Sequence, residues 1–136
     1  MEQKDYLMRE IEKIGLMLRA ILGGLMNIKG NKSLTIENQF EKTSEMLLQE
    51  AGLDLKKLLT LDETEAYNYL LQFEGINPEN IELLAETMTQ FGISETSDRK
   101  RMYFQKAIQL YELCAKTDKT FSLERQRKIA EIKSAM

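Results

Sequence analysis

Leu7, Ile11, Ile14, Leu18, Ile21, Leu25 and Ile28 recur at alternating steps of four and three. This is the spacing that keeps one stripe of a helix apolar, and it predicts a long first helix over residues 4–28. Met8, Leu22 and Met26 form a second apolar row beside the stripe, which widens the face predicted to be buried. A second helix is predicted from about Thr35 to Ala51, with Ile36, Phe40, Leu47 and Ala51 on one side and Gly52 placed to end it. Asp54 is a cap for a short helical turn in LDLKKLL. Asp62 with Glu65 makes a capping-box start for a helix through Tyr67, Leu70, Leu71 and Phe73.

In NPEN at 77–80, Asn77 can cap, Pro78 takes the first helical position and Glu79 favours the positive end of the dipole. The stripe of Ile81, Leu84, Ala85, Met88 and Phe91 follows, with Gly92 as the expected stop. A polar loop over 93–98 leads to a helix from Arg99 to Lys116, then a turn over 117–120 and a final helix capped by Ser122. The reading is all-α: one domain over 1–136, with five to seven helices.

Composition agrees. The chain has 136 residues, 43% hydrophobic and 30% charged, with one proline and no tryptophan, the balance of a folded helical domain. GLMLRAILGGLM at 15–26 is too short to span a bilayer, and a lone cysteine, Cys114, fits a reducing cytoplasm. There is no histidine, which removes the usual base near neutral pH and the imidazole metal ligand.

Glu63 and Glu65, or Glu79, Glu82 and Glu86, supply carboxylates at helical spacing, and a solvated face accounts for them. Cys114 lies on an apolar stripe with Ala107 and Tyr111 and reads as a buried, inert thiol. No catalytic, metal or cofactor residue is assigned, and the chain is expected not to be an enzyme.

The charges are unevenly spread. Residues 1–57 carry nine basic and nine acidic groups, residues 58–98 nine acidic and no basic, and residues 99–136 ten basic and four acidic. Three explanations compete. The acidic and basic segments face each other within the fold, or they meet between chains, or the basic segment neutralises phosphates on nucleic acid.

Residues 104–118, FQKAIQLYELCAKTD, resemble the second helix of a tetratricopeptide repeat, with Ala107, Tyr111, Cys114 or Ala115, and Asp118 at its small, aromatic and acidic places. ELLAETMTQFG upstream resembles the first helix, through Leu84, Ala85, Met88 and Gly92. The match covers about one repeat, and such arrays need roughly three to share a core, so the hairpin over 77–135 is expected to pack on the N-terminal helices. QKDYLMREIEKIG, GLDLKKLL and this C-terminal end together resemble an uncharacterised bacterial family of small, wholly helical proteins. No functional residue carries over from it.

The resemblance implies a non-catalytic protein-interaction or adaptor module. Its partner would meet the groove between the helices starting at Asn77 and Arg99, on Arg99, Arg101 and Tyr103. The alternative is a homodimer or larger homo-oligomer joined by a seam of Leu7, Ile11, Ile14, Leu18 and Ile21, and the weakest reading is nucleic-acid binding by the basic C-terminal segment.

Overall fold

The computed structural model describes residues 2–26, 36–118 and 122–136. Seven helices run through them: α1 (Glu2–Met26), α2 (Ile36–Ala51), α3 (Leu55–Thr60), α4 (Glu63–Leu70), α5 (Pro78–Ser94), α6 (Arg99–Asp118) and α7 (Leu123–Ala135). The chain is all-helical, with a long N-terminal helix. The expected Ile28 position, the expected start of the second helix at Thr35 and the end of the 117–120 turn lie outside the described residues.

Local chemistry sets the starts. Asp54 accepts the Lys57 N–H at 3.1 Å. Asp62 accepts the Glu65 N–H at 2.8 Å while the Glu65 carboxylate accepts the Asp62 N–H at 3.2 Å. Asn77 accepts from Asn80 at 3.0 Å, one residue before Pro78, and Ser122 accepts from Arg125 at 3.1 Å. Each cap satisfies an amide that the first helical turn leaves without a partner. Gly52 ends α2 in the left-handed conformation, φ 71°, and its N–H donates to the Leu48 carbonyl at 3.0 Å.

Other ends depart from the pattern in the sequence. Gly92 does not stop α5, which continues to Ser94 with the Glu95 N–H closing on the Phe91 carbonyl. Gly92 is instead a point of close approach, because a Cβ there would lie 2.6 Å from the Phe104 ring. α4 stops at Leu70, leaving Leu71 exposed, and α6 continues through Thr117 to Asp118. Met8 is exposed, so the second apolar row of α1 does not widen the buried face there.

α5 is the axis of the assembly. α6 runs antiparallel to it: Phe104 covers Gly92 at one end, and the Cys114 thiol lies 3.4 Å from the Pro78 carbonyl at the other. α1 runs parallel to α5, with buried Asn80 donating to the Ile11 carbonyl at 3.1 Å and to the Gly75 carbonyl at 2.7 Å. α2 lies across them and places Phe40 against Phe91 and Tyr103, ring centroids 5.7 and 5.8 Å away. α7 follows α5 in the parallel sense. One cluster of buried side chains draws on all seven helices, from Ile14 and Leu18 of α1 to Ile129 and Ile132 of α7.

Candidate interaction cleft

The three residues expected to anchor a partner do not form one surface. Tyr103 is fully buried, packed between Phe40 and Phe91, and its hydroxyl has no hydrogen-bond partner. Burial pushes its pKa above the usual phenol range, with Arg99 opposing. α2 covers the face of the hairpin on which Tyr103 sits. Arg99 is exposed one turn before it, with its guanidinium 5.9 Å from the Phe40 and Tyr103 ring centroids. Arg101 points elsewhere, because two helical residues differ by about 200°, and it borders a shallow depression with Ser97, Lys100 and Met136.

The seam residues divide similarly. Ile14, Leu18 and Ile21 are buried in the chain's own core, whereas Leu7 and Ile11 are partly exposed. What α1 exposes instead is Tyr6, Met8 and Leu16, which do not fall on one helical stripe.

The acidic and basic segments meet inside the chain. Lys116 lies 3.5 Å from Glu63, the Arg125 Nε 3.1 Å from Glu82, and the Lys128 ammonium 2.9 Å from Glu86. Glu82 and Glu86 are therefore not a solvated face. Their four-residue spacing aims both carboxylates at α7, whose Arg125 and Lys128 are three apart.

A cleft of about 350 Å³ opens on the side of the hairpin away from α2. Its walls are the parallel helices α1, through Leu22, and α7, through Ile132 and Ala135, with Phe104 and Tyr111 of α6 beneath. α5 contributes Glu86, Thr89, Gln90 and Ile93, and Ile93 is 56% exposed. Polar groups stand beside this apolar lining: Lys128, paired with Glu86, and Glu131. A more polar pocket of about 430 Å³ lies between α4 and α6, bordered by the Glu63 and Lys116 pair.

Two groups of the cleft, Tyr111 and Lys128, are held protonated well above neutral pH. Burial, helped by nearby Glu86, keeps the Tyr111 hydroxyl protonated far above the usual phenol range, with only Thr89 opposing. For Lys128, burial favours the neutral amine, but the hydrogen bond and charge of Glu86 outweigh it and raise the pKa. Neither is poised to exchange a proton near pH 7. Among the described residues no group of three carboxylates or cysteines is placed to hold a metal.

Two buried charged residues, Lys106 and Arg125, lie outside the expectations drawn from the sequence. Lys106 is 3% exposed and donates to the Leu61 carbonyl at 2.7 Å and the Gln109 side chain at 2.8 Å. It joins α6 to the end of α3. Arg125 is 9% exposed and binds Glu82 and Asp118 together. The signal for Lys106 was its register: it falls three residues after Tyr103 and four before Leu110, inside the buried stripe.

No protein-family model matches the chain, and no curated protein or solved structure matches it either. No helix among the described residues is long and apolar enough to cross a membrane. Among the described residues, the fold is an assembly of seven helices with a two-helix hairpin at its centre.

Proposed function

We propose that the chain is a non-catalytic protein-interaction module that receives an apolar segment of a partner protein in the cleft between α1, α5 and α7. The carrying observation is the cleft itself: an apolar lining of Leu22, Ile93 and Ile132 on the parallel helices α1, α5 and α7, with Phe104 of α6 beneath and polar groups beside it. This combination of an apolar centre and polar edge is how a helix or extended segment is commonly received. The lack of histidine throughout the chain, with Tyr111 and Lys128 both held protonated, favours binding over acid–base chemistry. A lone buried thiol suits a reducing cytoplasm. The likeness of α5 and α6 to a tetratricopeptide hairpin and of the chain to a bacterial helical family belongs to the same proposal.

A seam on α1 has less support, because Ile14, Leu18 and Ile21 are already buried by the chain itself. Nucleic-acid binding is also weakened, since Lys116, Arg125 and Lys128 of the basic segment are matched to carboxylates.

The test places a photo-crosslinking amino acid at Ile93, with exposed Leu71 as the control. The expected result is a partner segment rich in apolar residues captured from Ile93 alone, whose synthetic copy binds the wild type and not a folded Ile93→Glu variant. Identical products from both positions, or capture of only a second copy of this chain, would sink the proposal.

A further inference from the structure

α7 is attached to the hairpin by unusual means for a core helix. Its sequence LERQRKIAEIKSA buries two large apolar side chains, Ile129 and Ile132, while Leu123 is 76% exposed. The rest of its docking is ionic. The Arg125 side chain, 10% exposed, donates through Nε to Glu82 at 3.1 Å and through Nη2 to Asp118 at 2.9 Å, and Lys128 donates to Glu86 at 2.9 Å. For charges taken out of water, desolvation offsets much of the attraction, and a pair still partly in water, such as Lys128 with Glu86, is weak. The ion pairs thus fix where α7 sits more strongly than they hold it there. α5 and α6 meet through a continuous apolar seam, so opening should begin at α7.

The face under α7 has a defined chemistry. With α7 lifted it presents Glu82, Glu86 and Asp118 around the seats of two isoleucines. Residues 122–136, which fill it, carry four basic and two acidic side chains. We propose that α7 is an internal stand-in for the partner: it occupies an acidic, apolar-centred seat that a basic amphipathic helix of the partner takes by displacing it. The proposal rests on reading the chain as an interaction module, and it specifies the partner's charge and the contact whose loss, by leaving Glu82 and Asp118 without their guanidinium, opens the seat. α7 also forms one wall of the cleft, so its release joins cleft and seat into one groove along α5.

Cys114 reports the opening without any partner. It is the only cysteine, fully buried, and lies close enough to Arg125, Glu82 and Asp118 to feel their charges. The measurement is the rate at which a thiol reagent labels Cys114 in the full chain, set beside the rate of global unfolding. Arg125→Met removes the guanidinium from between Glu82 and Asp118. It should raise labelling at least about tenfold while the helical circular dichroism stays near that of the wild type. Arg125→Lys keeps the charge but loses the two-pronged geometry and should fall between; it also serves if Arg125→Met does not fold.

A fluorescent peptide of residues 122–136 should then bind the opened variant at least about tenfold more tightly than the wild type, and bind more weakly as salt is added. Labelling that merely tracks global unfolding in every variant overturns the latch. Fast labelling with no peptide binding to the opened variant overturns the seat. Because neither readout uses the Ile93 crosslink, failure of the cleft assignment and failure of the latch remain distinguishable.

Discussion

α6 packs on α5, α7 lies against the resulting hairpin and reaches α5 through ion pairs, and the two helices are held by opposite means. α6 adds Phe104 and Ala107 to the buried cluster that holds Leu84, Ala85, Met88 and Phe91 of α5, with Gly92 shaped to admit the Phe104 ring. α7 offers Ile129 and Ile132, and then Arg125 and Lys128 to carboxylates. The first interface gains from every square ångström removed from water; the second is directional, with charges that fix register at small net gain. One chain therefore holds a stable hairpin and a separable helix laid against it, which is the division a displaceable contact requires.

The largest expected effect comes from breaking the α6 seam. Phe104→Ala removes a ring that is 1% exposed and should cost about 3–5 kcal/mol in denaturant unfolding, the range for large-to-small aromatic changes in a core. Gly92→Ala should cost about 1–2 kcal/mol, because overpacking against the ring outweighs the better helix propensity of alanine. In the Phe104→Ala background that cost should vanish, since the clash is with this ring. If Gly92→Ala costs the same in both backgrounds, the close approach does not set the seam.

Alkaline pH sharpens the contrast between the interfaces. Burial pushes the Cys114 thiol from 9.0 up to about 12, with Arg125 opposing. Above pH 9.0 the unfolded chain sheds this proton while the folded chain keeps it, so the folded state holds more protons and stability falls as pH rises towards about 12. Tyr103 and Tyr111, held protonated by burial, and Lys128, held protonated by Glu86 against burial, act in the same direction. Lys106, whose amine burial pushes down against the charge of Asp62, acts the other way. Near pH 11 the Cys114 share should be about 1–3 kcal/mol. The comparison is unfolding free energy against pH for the wild type and Cys114→Ala. Parallel curves above pH 9.0 would show that the thiol is not the titrating group.

The sequence was most legible where a structural decision is local. Asp54, Asp62 with Glu65, Asn77 with Pro78, and Ser122 each act within four residues of themselves, and each caps the helix its spacing indicated. It was least legible on α6. That helix is packed by α2 on the Tyr103 side and covered by α5 and α7 around Cys114, so its apolar positions lie on several faces and no single stripe marks the surface. The pattern therefore points Tyr103 outward, whereas Phe40, some sixty residues earlier in the chain, covers it. The cleft was hidden for a related reason: Leu22, Ile93, Tyr111 and Ile132 come from four helices, and nothing in any one helix says which open ends meet. Glu82 and Glu86 were visible as neighbouring carboxylates, but their basic partners on α7 lie about forty residues further on.

The smallest effect tests the covered side of the hairpin, where α2 rather than α7 is the lid. The Tyr103 hydroxyl is buried with no partner, and such a group bears a desolvation cost that no hydrogen bond returns. Tyr103→Phe keeps the ring that meets Phe40 and Phe91 at 5.8 and 5.5 Å and deletes only that oxygen. The expected outcome is a gain of up to about 1 kcal/mol, because relief of desolvation is partly offset by the small void left behind. Hydrogen exchange should show the gain in α2 amides as well as globally, since the ring lies against Phe40 of that helix. A loss of more than about 1 kcal/mol would mean that the oxygen is engaged in the folded protein, and that this side of the hairpin, like the α7 side, is held by a polar contact.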